Sequence, residues 1–555
     1  MLLCALAAAM AVAIDAYFSA QEGYLAKPPD YDGVSYMLTA RVPYLLIHSL
    51  HLRTAFHELA TSISPLWISA LTAQQLILGD GTWQAFSTRF WAVALLLILV
   101  YWIVSRRATR ALGIAAVGFT ALLPVISAGL RASSWEFLTG QASYGDHWYL
   151  DDLRPDLLAI VLVTWSVAAL AEHSEAPRRS AYLVSAAFAA AAVLAKSSTA
   201  PVALAAWGIA LAITWFWNRR SPDATRMTLV AAILLVVLLT PWAVFAGGLR
   251  TVVTYLQQIT AFRGAYTSPG GLGGGLTYFL VRLPTQLGPI EGWVVIAGAI
   301  ASTVALLRRQ LLRAEAIYAV IAVLVYLAFS LPPAKNSILG GWIALSIWIF
   351  FLAGAARVAV ARWPEPLRRA APAALSAIAI YTLAVYALGL FALANWPATE
   401  QRSNAQLLAV TAEVAHELGA HISSRDCFAY VPGPGWPSSL IYPLMDAKGN
   451  APMSTAIDVD PTQTTVSDYV IAASRCEAVM AYREDISDVA QVFFAPPIRQ
   501  PYLRAVANWV RNPDSVYTLD RSWTFSDLPR SGPHALGHYQ GVSLTVDLYI
   551  RSVGK

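Results

Sequence analysis

The chain has 555 residues, 57% hydrophobic and only 13% charged, with a net charge of +5 and a mean hydropathy of +0.54. Soluble domains carry about a quarter charged residues, so this deficit excludes an ordinary cytosolic globular protein. The small positive excess makes no case for nucleic acid, and the three cysteines contain no CxxC pair, which excludes a cysteine zinc site.

Met1–Phe18 is apolar with no Lys or Arg ahead of it, and reads as a first membrane helix rather than a cleaved signal. An outer segment at 19–83 follows, holding Asp30, Asp32 and an amphipathic run, Leu45–Ala60, expected to be one helix lying along the interface. Further spans are expected near 84–104, 111–130, 156–171, 181–195, 200–217, 227–247, 289–307, 314–331, 337–355 and 372–395. Arginine clusters occupy every second connection: Arg106, Arg107 and Arg110; Arg178 and Arg179; Arg219, Arg220 and Arg226; Arg308, Arg309 and Arg313; Arg357, Arg362, Arg368 and Arg369. The positive-inside rule then gives about eleven spans, the N-terminus inside and the C-terminus outside.

Between the spans, 131–155 is an outer loop rich in acids and aromatics, with Asp146, His147, Trp148, Asp151 and Asp152. The segment 248–288 contains Gly270-Gly271 and Gly273-Gly274-Gly275 and is expected to be a mobile loop. It has no Lys-Ser/Thr after its glycines, which excludes a nucleotide-binding loop. Beyond Asn395 charges and prolines return, and about 160 residues are expected to form an extracytoplasmic mixed α/β domain. Its strands are expected at Cys427–Val431, Asp468–Ala472, Ala478–Tyr482 and Val542–Ile550, with a helix near Ala405–His421. Cys427 and Cys476 both lie there, and an oxidising compartment would allow them to pair. The domain plan is therefore 1–395 in the membrane and 396–555 outside it.

The candidate chemistry is crowded at the outer face. Lys27-Pro28-Pro29-Asp30-Tyr31-Asp32-Gly33 by itself reads as a solvated turn. The odds change because Asp151, Asp152 and Arg154-Pro155-Asp156 put further carboxylates on the same face. One carboxylate can take a proton from an acceptor hydroxyl while others orient substrate or hold a divalent ion. A lone Lys at a span end usually snorkels to the interface. Lys196, Lys335 and Arg263 together, however, suit an anionic leaving group such as a lipid phosphate. His57-Glu58 and His416-Glu417 open like the HExxH zinc pattern. Thr61 replaces the second His in the first, and His421 lies one residue too far in the second, so both read as ordinary helix-surface residues.

In its layout and motifs the chain resembles the GT-C superfamily of membrane glycosyltransferases. The likeness is to the bacterial branch similar to protein mannosyltransferases and lipid A aminoarabinose transferases. It covers roughly 1–395 and rests on Asp32-Gly33-Val34-Ser35-Tyr36, Arg154-Pro155-Asp156, Leu194-Ala195-Lys196, Thr240-Pro241-Trp242 and Lys335. Gly33 departs from the pattern, where many members carry Glu, and Asp30 is the residue left to supply that carboxylate. The resemblance implies an α-helical polytopic fold and sugar transfer from a polyprenyl-phosphate donor to a cell-envelope glycan, lipid or protein acceptor. Asp32 would be the catalytic base, with Asp30, Tyr36, Asp151, Asp152, Asp156, Lys196, Arg263 and Lys335 binding substrate. The resemblance fixes no cofactor. A divalent cation stays open, with Asp32 and Asp156 as its candidate ligands. The partners implied are the lipid donor, the acceptor and the surrounding lipids of the inner (plasma) membrane. A lipid-linked oligosaccharide ligase or polymerase, or a non-catalytic envelope assembly protein, fits the same charge layout. A transporter does not, because the spans are nearly free of charge.

Overall fold

The structure, a computed structural model, describes residues 1–21, 32–123, 125–126, 153–261, 271–307, 313–332, 337–361 and isolated positions between 377 and 391. Beyond those it describes 413–422 (without 415), 427–429, 456–457, 465–483, 500–526 and 543–552. Through residue 361 the described elements are helical. They are α1 (Leu2–Gln21), α2 (Asp32–His48), α3 (Leu52–Thr61), α4 (Pro65–Leu78), α5 (Thr82–Ser87), α6 (Arg89–Arg107) and α7 (Arg110–Ala121). After the acidic loop come α8 (Asp156–Ala171), α9 (Arg179–Ala195), α10 (Ala200–Asn218), α11 (Pro222–Thr240), α12 (Gly248–Ala261), α13 (Gly271–Leu287), α14 (Pro289–Leu307), α15 (Arg313–Ser330) and α16 (Ser337–Ala361).

Among the described residues, five helical stretches are long and apolar enough to cross a membrane: Trp83–Arg107, Ser197–Asn218, Pro222–Val244, Arg313–Ser330 and Leu339–Arg357. Leu229, Ile233, Val236 and Val237 stand exposed on α11, an apolar face with no protein cover. Such a surface is stable against hydrocarbon, not water, so the chain is an integral membrane protein. The expected last span, 372–395, lies largely outside the described residues.

The centre of the bundle is α8, buried on every side except at Thr164 and Trp165. It packs antiparallel on α9, whose buried Ala186, Ala189, Ala190 and Ala192 let the two backbones approach closely. Ser185 of α9 donates to the Ser166 carbonyl of α8 at 2.7 Å, and Trp207 of α10 donates to Ser185 at 2.9 Å. α6, α15 and α16 close the remaining sides.

Two expectations fail in this region. Leu45–Ala60 is not one helix: α2 ends at His48, and Leu50 turns the chain with φ +61° before α3 begins. Ser49 caps that break by donating to the Leu45 carbonyl at 2.9 Å. The glycine-rich stretch is not simply a loop either, because Gly271 to Gly275 open α13. Each glycine costs a helix about 1 kcal/mol relative to Ala. Phe279, Leu283 and Leu287 recur every fourth residue on a fully buried face, and that packing offsets the cost.

The later residues form a five-stranded sheet in the order β2-β1-β3-β5-β4. Its strands are β1 (Phe428–Ala429), β2 (Ala456–Ile457), β3 (Ala478–Tyr482), β4 (Tyr517–Ser526) and β5 (Ser543–Arg551). β1 runs parallel to β2 and β3, while β5 pairs antiparallel with β3 and β4. Helices α17 (Val466–Ala473) and α18 (Gln500–Val510) pack Tyr469, Ala473, Tyr502, Val506 and Val510 against Val479, Ala481 and Tyr549 of the sheet. Asp468–Ala472, expected as a strand, lies inside α17. The Thr465 hydroxyl accepts from the Asp468 amide at 3.2 Å and donates to its carboxylate at 2.6 Å, a capped helix start that outweighs local β preference. Cys427 and Cys476 form a disulfide, with Cα atoms 4.6 Å apart.

Candidate functional site

α8 and α9 have nearly equal lengths, 16 and 17 residues, and run antiparallel. The first residue of α8 therefore meets the last turn of α9. This brings together Asp156 and Lys196, 40 residues apart in sequence, with Nζ to Oδ2 at 2.5 Å. Each charge also suits its helix end, Asp156 at the positive N-terminus of α8 and Lys196 at the negative C-terminus of α9. The pair is enclosed, with the Asp156 side chain 1% and the Lys196 side chain 15% exposed.

The other carboxylate oxygen of Asp156 accepts from Trp342 Nε1 of α16 at 3.0 Å. Trp342 is completely buried, with the Phe329 ring edge-on at 5.7 Å between centroids. Both oxygens of Asp156 thus hold protein donors, and their geometry suits an anchor for Lys196 more than an open metal ligand. The neighbouring loops are tied to the same end of the bundle. Ser197 donates to the Ile63 carbonyl at 2.5 Å, and Trp67 Nε1 of α4 donates to the Leu153 carbonyl at 2.8 Å. α4 in turn grips α2, since Thr72 donates to the Ala40 carbonyl at 3.1 Å. Asp32 is the first residue of α2, and its side chain lies outside what the structure describes. Tyr36 follows one turn later, half-buried against the main core, and Met37, Ala40 and Arg41 bury the same helix. Asp30, Asp151, Asp152, Arg263 and Lys335 lie outside the described residues.

A second buried charge cluster sits at the opposite end of α8, about 24 Å away at 1.5 Å per residue. Arg107 reaches Glu172 at 2.6 Å and also pairs with Glu315, and the Tyr318 hydroxyl donates to Glu172 at 2.9 Å. All three charged side chains are nearly or wholly buried. Arg107 counts in sequence only as one of a topogenic cluster. Glu172 and Glu315 carry no motif, although a carboxylate two residues after Arg313, at the start of an apolar span, is a visible signal. Trp342 was equally silent, one aromatic among many in an apolar run.

With that geometry in place, solved structures supply a likeness. ArnT from Cupriavidus metallidurans bound to undecaprenyl phosphate aligns over 97% of this chain and 97% of its own, at 15% identity and a TM-score of 0.50. The apo state of the same protein aligns over 94% and 93%, at 15% identity and 0.49. The arabinofuranosyltransferase AftD from Mycobacteria aligns with 99% of this chain at 17% identity and a TM-score of 0.52. The chain shares the fold of ArnT and of the matching part of AftD. It spans only 40% of the length of AftD, so the fold relation there concerns one part of a larger protein. At these identities the likeness is one of fold, and the chemistry rests on this chain's own residues. No family model and no curated protein matches the sequence.

Proposed function

We propose that this protein transfers a sugar from a polyprenyl-phosphate donor to a glycan, lipid or protein acceptor at the outer face of the plasma membrane. The observation that carries the proposal is the enclosed Asp156–Lys196 pair at the end of the bundle that the arginine pattern assigns to the outside. An ammonium fixed in advance by a buried carboxylate can meet a phosphate without reorganising, which is how a leaving group is stabilised most cheaply. ArnT, whose solved complex contains undecaprenyl phosphate, supports a ligand of that class in this fold.

In the proposed reaction an acceptor hydroxyl attacks the anomeric carbon and the bond from that carbon to the phosphate oxygen breaks. Asp32 takes the hydroxyl proton, and the polyprenyl phosphate leaves as an anion beside Lys196. Arg263 and Lys335 add positive charge to the phosphate site. Asp30, Tyr36, Asp151 and Asp152 orient the acceptor, and Asp156 acts by holding Lys196. The site needs no metal in this scheme. Residues 396–555 form an extracytoplasmic domain, and the Cys427–Cys476 disulfide supports an oxidising compartment for it. The test is a panel of polyprenyl-phosphate sugars offered to purified protein in lipid, with release of polyprenyl phosphate as the readout. Release from at least one donor that depends on acceptor is expected. Binding of donors without release from any, in the presence of envelope acceptors, would favour an assembly role instead.

A further inference from the structure

The sequence pattern sets His416-Glu417 aside because His421 is five residues from His416. The structure reveals a different pairing. Glu417 and His421 are four residues apart on the helix over 416–421, so they share one face. That face lies against β4, the edge strand of the sheet, at the irregularity between Leu519 and Arg521 that turns Asp520 out of the ladder. His421 Nε2 is 3.5 Å from Asp520 Oδ2 and 3.9 Å from Glu417 Oε1, and one ligand atom of each residue lies within 4.8 Å of the others.

We infer that Glu417, His421 and Asp520 form a divalent metal site of the zinc class on the sheet-bearing region, separate from the Asp156–Lys196 site. Three observations carry this. Two of the spacings, 3.5 and 3.9 Å, lie near the ~3.3 Å edge of a zinc coordination tetrahedron with ligands at about 2.0 Å, and the third, between Glu417 and Asp520, is within 4.8 Å and closes by side-chain adjustment at this surface. The donor set is one imidazole and two carboxylates, which suits zinc better than calcium or magnesium. The charges also leave a deficit. Arg521 pairs with Glu417 Oε2 at 2.6 Å and Glu413 at 3.5 Å, so among the described residues three carboxylates face one guanidinium and one imidazole. A dication balances that set. Arg521 occupies the Glu417 oxygen that His421 does not face, and so orients the other toward the metal, as outer partners of metal ligands do. Three protein ligands leave a fourth position for water at this exposed surface. The bound ion would clip the helix to the edge strand.

The test uses full-length protein purified without a polyhistidine tag and treated with chelator. Zinc titration is followed by calorimetry and by thermal unfolding, and cobalt serves as a spectroscopic probe of tetrahedral ligation. One zinc per chain with a micromolar or tighter Kd is expected, raising the thermal transition by at least about 3 °C at saturation. His421→Ala should abolish the response, and Asp520→Asn should weaken binding at least tenfold. His416→Ala, which changes an exposed residue outside the cluster, should leave it intact. If His421→Ala does not fold, the Asp520→Asn comparison decides. The inference is overturned if wild type binds no zinc more tightly than about 100 μM, or if Asp520→Asn or His421→Ala binds as wild type does.

Discussion

Removing Lys196 exposes the energetic logic of the site. The Asp156 carboxylate is 1% exposed and has two partners, the Lys196 ammonium at 2.5 Å and the Trp342 indole at 3.0 Å. In Lys196→Met the carboxylate stays buried with, among the described residues, a neutral donor only, and breaking a buried ion pair in this way costs about 3–5 kcal/mol. Replacing both partners removes the stranded charge. The double variant Asp156→Leu/Lys196→Met should therefore recover most of that loss, to within about 1–2 kcal/mol of wild type, because apolar replacements of buried pairs are often nearly neutral. The two single variants and the double close a thermodynamic cycle, measured by reversible unfolding in detergent or bicelles. Donor turnover, measured alongside, should stay lost in the double variant even as stability returns. A Lys196→Met variant within about 1 kcal/mol of wild type would refute the enclosed-pair account. Recovered turnover in the double variant would refute a chemical role for the lysine.

Other outcomes follow from the same structure. Arg107→Lys should weaken the cluster at the far end of α8, because one ammonium cannot span Glu172 and Glu315 as a guanidinium does; a loss of roughly 3 kcal/mol or more in thermal unfolding is expected. Replacing Cys427 and Cys476 by Ser should destabilise the sheet region by up to about 4 kcal/mol for a loop of this length, and reduction should shift the mobility of wild type alone on a denaturing gel. His173 lies just past the end of α8, where burial, more than the nearby Arg106 and Arg178, lowers its pKa. The unfolded chain then binds the proton more readily, so stability should fall as pH drops below about 6.5; His173→Gln should flatten that slope. Thr465→Ala should cost about 1 kcal/mol by removing the cap that starts α17.

Much of the bundle was legible because hydrophobic runs report the membrane directly. The ends expected at 156–171, 289–307 and 478–482 coincide with α8, α14 and β3. The site was legible in part. Asp156 and Lys196 each stood out as charges at span ends, and equal antiparallel helix lengths explain why they meet. Their mutual pairing was not legible, because 40 residues of sequence separate them and only the packing of α8 on α9 brings them together. Trp342, 186 residues from Asp156, was beyond any local pattern. α13 was missed since glycine content speaks for propensity alone, while the buried stripe of Phe279, Leu283 and Leu287 decides the outcome. Glu417 and His421 were missed for a related reason. The HExxH pattern turns on the spacing from His416, and the third partner, Asp520, comes from a strand a hundred residues on.

The central claim, sugar transfer from a lipid phosphate, is tested most directly at Asp32. Purified wild type and Asp32→Asn are compared for transfer from the donor that wild type uses, with donor affinity measured on the same samples. A general base contributes about 10²–10⁴-fold to such a step. The account predicts turnover reduced by at least about 100-fold in Asp32→Asn, with donor binding retained and the fold intact. Wild-type turnover by both Asp32→Asn and Asp32→Ala would contradict it.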